Sequence, residues 1–159
     1  MRMNRRAVVL TAGAAVAVAS ATLGRTKDLP TLDKNKALVA EFIEVVWREA
    51  KLERLADYWT ADCVNHADPS PQKVGLEELR RYHEAFSQAF EDFEGLDIRL
   101  EQQVAEGDRV VTQMTTHARH KPTGRQVSLA TIRIDRLANG KIAEHWSVAD
   151  MAGLTQQLA

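Results

Sequence analysis

The chain changes its hydrophobic period once, near Leu96, and that change sets the architecture. Before it, apolar residues recur at helical spacing: Leu38, Phe42, Ile43 and Val46, then Leu79, Tyr82, Phe86 and Phe90. After it, Leu96, Ile98 and Leu100 alternate with Asp97, Arg99 and Glu101, the period of a two-faced strand. Turn signals at Glu106-Gly107-Asp108, Pro122-Thr123-Gly124 and Asn139-Gly140 divide the remainder into strands over 109–119, 127–137 and 142–148. Helices followed by a meander make an α+β fold with the helices on one sheet face. We expect three N-terminal helices packed on a curved antiparallel sheet of four to six strands. A pocket forms where the helices do not fill the concavity.

Local signals place the helices. Asp33 can cap a helix over 34–48, and Leu52, Leu55 and Tyr58 continue as a short second one. Residues 60–71 hold Asp62, Asn65, Asp68 and two prolines and read as a loop or short extended piece. Gly75 precedes a third helix over 76–90, and a short helix over about 151–158 closes the chain.

Residues 1–24 read as an export signal. Arg2, Arg5 and Arg6 form a basic region, Ala7 to Ala19 is apolar, and Ala19-Ser20-Ala21 suits a signal peptidase. The Arg5-Arg6 pair gives it a twin-arginine character, although Ala7-Val8-Val9 follow in place of the usual aromatic and Leu. The run is too short and weakly apolar for a comfortable membrane span. Export implies a periplasmic or secreted protein with no stable span after cleavage. Residues 25–33 read as a linker and 34–159 as one domain.

The formal net charge of -1 gives no electrostatic case for nucleic acid. Cys63 is the single cysteine, so no internal disulfide forms, and it lacks the spacing of a structural zinc site. It reads as a small buried hydrophobe.

On the strand over 127–137, Ala130, Ile132 and Ile134 face one way, and Leu129, Thr131, Arg133 and Asp135 the other. Both faces carry apolar positions, so both are covered: one by helices and pocket, the other by a second subunit in a homodimer.

Several side chains can carry chemistry. His66 follows Asn65 in the Pro-bounded loop and suits a general base or a donor to a carbonyl, or simply a structural bond to the backbone. Gln113 and His117 share parity on one strand, and Glu144 and Trp146 on another, opposite His145. His117 also reads as a strand-end surface residue, and His145 as structural or solvent-facing. Arg133, if it points into an apolar cone, costs several kcal/mol unless paired. Asp135, about 7 Å along the same face, or Glu144 on the neighbouring strand can pair with it. A paired arginine clamps a carboxylate or enolate oxygen. His66, His117 and Glu144 could converge on a metal, but nothing in their spacing demands it.

Gly140-Lys141-Ile142-Ala143-Glu144-His145-Trp146 and the tail Asp150 to Leu158, read after Val64-Asn65-His66 and Glu106-Gly107-Asp108-Arg109-Val110-Val111, resemble the SnoaL-like polyketide cyclases. These are a branch of the nuclear-transport-factor-2-like superfamily often labelled ester cyclases. The resemblance spans roughly 34–158. It implies a cone with one deep pocket, no metal or organic cofactor, and a strand carboxylate that removes a proton beside a carbonyl before ring closure. That carboxylate falls at position 133, where this chain has Arg133, and an arginine stays protonated at neutral pH.

The resemblance therefore implies a cyclase, isomerase or hydrolase acting on a carbonyl compound. His66 or Asp135 is the base, Arg133 with Gln113 the oxyanion stabiliser, and Trp146 and Tyr82 the pocket wall. The substrate-binding set is Gln113, His117, Trp146, Tyr82 and Glu144. The ligand is small, partly apolar and, through Arg133, anionic. The alternatives are a non-catalytic protein binding a ligand in the same pocket, and a dimerisation module whose pocket is vestigial.

Overall fold

The computed structural model describes residues 29–69 and 73–159; the expected export signal over 1–24 lies outside them. Helix α1 spans Leu29–Phe42 and runs into a π-helical turn, Ile43–Arg48. It begins inside the segment expected as a linker, with Pro30 in its first turn, where a missing N–H breaks no helical bond. Asp33 is therefore not its cap but an exposed partner of Lys36, 2.8 Å away one turn on. A 3₁₀ turn at Leu52–Arg54 and helix α2 (Leu55–Tyr58) lead into strand β1 (Trp59–Asn65). Helix α3 follows at Leu76–Ala89, then β2 (Phe93–Glu106), β3 (Arg109–His120), β4 (Gln126–Ala138), β5 (Lys141–Ala149) and α4 (Met151–Leu158).

The sheet is five-stranded, in the order β1-β5-β4-β3-β2. The four expected strands β2 to β5 form an antiparallel meander. β1, expected as loop or short extended piece, pairs parallel with β5, so the sheet is mixed. Asn139 and Gly140, at φ 53° and 73°, make the tight β4–β5 turn in which both central residues need positive φ. Asp150 caps α4 by accepting from Gly153 N at 2.8 Å.

Bulges bend the sheet. β2 carries extra residues between Glu94 and Asp97 and between Leu100 and Gln102, and β5 carries one at Ala143. The helices cover the concave side. Val39, Phe42, Ile43 and Val46 pack there with Trp59, Leu79, Ile98, Val110 and Met114, and a second cluster gathers Ala118, Val127, Leu129 and Leu154. Cys63 is buried in the first cluster. The convex side leaves Val104, Val111, Ile132 and Val148 exposed, with Val148 at 77%. No helix among the described residues is long and apolar enough to cross a membrane.

Candidate functional site

Between the two apolar clusters lies a cavity of about 400 Å³. The π-helical turn sets the adjacent Val46 and Trp47 both against it, a placement helped by the widened turn. Helix α3 adds Tyr82, His83 and Phe86 from one face. Met114, Thr131 and Ser147 form part of the sheet side. Leu96 and Met151, each about half exposed, lie at its open end.

One pleat beyond Thr131 and Ser147 the concave face turns polar. Arg133 and Asp135 are 1% and 0% exposed. Arg133 donates from Nε to Asp135 Oδ2 at 2.8 Å and from Nη2 to Oδ1 at 2.6 Å, a bidentate pair. The guanidinium lies 5.0 Å from the centre of the Phe42 ring. His145 Nδ1 is 3.0 Å from Asp135 Oδ1. Burial alone would raise the Asp135 carboxyl; the adjacent guanidinium and the His145 hydrogen bond outweigh it and hold the group below the usual carboxylate range. Burial, reinforced by Arg133, pushes His145 down against the pull of Asp135, so its imidazole is neutral at pH 7. A neutral His145 beside an ionised Asp135 carries its proton on Nδ1, which leaves the lone pair on Nε2.

His83 links this polar layer to the cavity. It is 6% exposed and is boxed by Trp47, Tyr82 and Phe42, with ring centroids 5.3, 5.7 and 6.4 Å away. Burial, then the charges of Arg133 and His145, push its pKa down to about 3. His83 Nε2 and Arg133 Nη1 are buried without a hydrogen-bond partner, as is Trp47 Nε1.

The expected site residues divide between the two sheet faces. Arg133 and Asp135 meet on the concave face as a pair, and Tyr82 lines the cavity. Burial raises the Tyr82 phenol further above neutrality. His66, Glu144 and Trp146 come together on the convex face. The His66 ring stacks on Trp146 at 4.4 Å and 4°, and its Nε2 is 2.9 Å from Glu144 Oε2. Glu144 Oε1 accepts from Arg136 Nε at 2.7 Å and Nη2 at 2.6 Å, and the hydrogen bonds from His66 and Arg136 hold its carboxyl down. Arg133 is thus paired by Asp135 and not by Glu144. Gln113 also faces outward, accepting from Gln102 Nε2 at 2.8 Å, away from Arg133. His117 is on the same outer face, opposite Asp97 and Ser128 in register. Among the described residues no group of three or more His, Cys, Asp or Glu could hold a metal ion.

Two concave-face histidines go unmarked in the sequence pattern. His145 has the opposite parity to Trp146, and an aromatic residue is the natural choice for the inward face. His83 sits one residue beyond Tyr82 in the α3 stripe and is as deeply placed as its apolar neighbours.

Solved structures share this architecture. TsrD from Streptomyces laurentii is 26% identical with a TM-score of 0.65, covering 80% of this chain and 96% of that one. AclR from Streptomyces galilaeus is 27% identical, also at 0.65, with the same coverages. A SnoaL-like polyketide cyclase from Agrobacterium tumefaciens is 17% identical with a TM-score of 0.62, covering 79% and 98%, which speaks to the fold alone. None of the curated proteins matches the chain. The family profile of SnoaL-like polyketide cyclases matches residues 37–158, the whole of the folded region from mid-α1 to the end of α4. The chain belongs to the SnoaL-like polyketide cyclase family.

Proposed function

We propose that the protein is a small-molecule enzyme that acts on a carbonyl compound by acid/base chemistry, as a cyclase or isomerase, without a cofactor. The observation that carries this reading is the buried Arg133–Asp135–His145 set, which lies one pleat beyond the cavity residues Thr131 and Ser147. An apolar body fills the cavity, and its carbonyl oxygen takes the unpartnered Arg133 Nη1–H, the donor that gains most as the oxygen becomes an enolate. Asp135, tied by two donors from Arg133 and one from His145, serves as the orienting group. His145 Nε2 is the proton acceptor, in the arrangement of a base steered by a carboxylate. His66 is left out of the chemistry.

A second reading, ligand binding without catalysis, is favoured by the same Asp135: its hydrogen bonds leave no free carboxylate at the cavity. Either way, the exposed Val104, Val111, Ile132 and Val148 support a homodimer through the convex face. Export by residues 1–24 belongs to the same reading.

Hydrogen–deuterium exchange at the carbon between the carbonyls of ethyl benzoylacetate, followed by proton NMR in D₂O, tests the proposal. Exchange faster than buffer, lost in His145→Phe and in Arg133→Met, is expected. Saturable binding with exchange at the buffer rate would leave the binding reading in its place.

A further inference from the structure

Three buried, unpartnered polar groups share one chemistry: Trp47 and His83 in the cavity wall, and Arg133 one pleat beyond the cavity residue Thr131. Arg133 Nη1 and Trp47 Nε1 can only donate, and His83, neutral at pH 7, donates from Nε2 in one tautomer. Arg133 and His83 both pack against the Phe42 ring, the guanidinium 5.0 Å from its centre and the imidazole 6.4 Å. They come from different elements, β4 and α3, and neither has an acceptor within the protein. A buried N–H without an acceptor is costly, and two packed against the same ring call for one supplied from outside the chain.

The geometry points to a two-donor clasp: His83 Nε2 and Arg133 Nη1 together take one anionic sp² oxygen of the ligand. The ligand class is then an apolar, flat molecule of up to about 400 Å³ ending in a carboxylate or a stabilised enolate. This rests on the cavity reading above and adds to it a specificity residue, His83, together with the charge of the head group. The oxygen displaces no existing partner, because neither N–H holds one. Trp47, set edge-on to the His83 imidazole, and Phe86, packed in turn on Trp47, supply aromatic wall for the ligand body. Asp135 engages Arg133 through Nε and Nη2, and Nη1 is left without a partner.

The test is fluorescence titration of the full chain with three probes of equal width: 2-anthracenecarboxylate, 2-acetylanthracene and 2-methylanthracene. The carboxylate is expected to bind wild-type protein at least about tenfold more tightly than the hydrocarbon, the margin of one hydrogen bond to a charged group. His83→Phe keeps the ring and removes the donor; it should erase most of that margin and leave the hydrocarbon affinity unchanged. His83→Gln, which keeps an N–H, should restore binding to within a few-fold. Arg133→Met should abolish the carboxylate preference. A second readout, the ¹⁵N resonance of His83 Nε2, should move with the carboxylate and not with the hydrocarbon. If all probes bind but the carboxylate has no advantage, or His83→Phe leaves that advantage intact, the clasp is wrong while the cavity stands. Ordered water alone then satisfies the donors. If no probe binds the wild-type protein, the cavity reading falls and the clasp with it.

Discussion

Replacing Asp135 by Asn should be among the most damaging isosteric changes this domain can suffer. The Arg133 and Asp135 side chains are 1% and 0% exposed, so the charge left on Arg133 cannot be solvated. The substituted amide would keep the volume but lose the negative charge, and could accept from Arg133 or His145 only weakly. Breaking such a pair costs about 3–5 kcal/mol. With a urea m-value of about 2 kcal/mol/M for a small domain, the midpoint should fall by about 2 M. Removing both charges as Arg133→Met/Asp135→Leu should recover at least half of that loss, because an apolar pair needs no solvation. The remainder is the orphaned Nδ1–H of His145, about 1–3 kcal/mol. Equilibrium urea denaturation of the two variants, with each single substitution to complete the cycle, measures this. A cost under about 1 kcal/mol for Asp135→Asn would mean that water reaches Arg133, and the dry, unpartnered Nη1–H on which the site depends would be lost.

Two more outcomes follow from the same geometry. As pH falls from about 6.5, the ordinary histidine value, the unfolded chain takes up a proton that folded His83, with its pKa pushed down to about 3, refuses. Stability therefore drops toward acid by up to about 1.4 kcal/mol per pH unit. Between pH 6.5 and 4.5 the wild-type protein should lose about 2–3 kcal/mol more than His83→Phe. His145 acts in the same direction in both proteins, and the depressed Asp135 carboxyl loses its contribution only below about pH 4. Equal pH profiles would contradict the burial of His83. On the convex face, Val148→Asp should convert a dimer to a monomer in size-exclusion chromatography with light scattering, since Val148 lies beside Ile132 in register. A monomeric wild-type protein at tens of micromolar would end the dimer reading.

Much of the fold is written in local periodicity. The turns at Gly107, Pro122-Thr123-Gly124 and Asn139-Gly140 give β3, β4 and β5 to within a residue at each end, α4 spans the expected 151–158, and β2 starts at Phe93, ahead of the switch near Leu96. β1 is hidden because a short edge strand that pairs only with the distant β5 leaves no alternating signature of its own. The site is half legible for a specific reason. Counting from the Asn139-Gly140 turn with no irregularity pairs Arg133 with Trp146 and Asp135 with Glu144. The bulge at Ala143 advances β5 by one residue, so Arg133 faces Ser147 and Asp135 faces His145. A single inserted residue turns every later side chain of β5 to the other face. Ile142 and Ala143 are consequently both buried, and His145 replaces Glu144 and Trp146 on the inside. No composition rule marks such a bulge. His83 stays hidden because an apolar stripe one position wide does not announce a polar member until its neighbours are known.

The most direct measurement is a crystal structure of the protein bound to 2-anthracenecarboxylate. The rings are expected between Trp47, Phe86 and Met114, with one carboxylate oxygen within hydrogen-bond distance of both Arg133 Nη1 and His83 Nε2. A hollow closed by side chains, or the probe lying instead on the His66–Trp146 surface, would contradict the account.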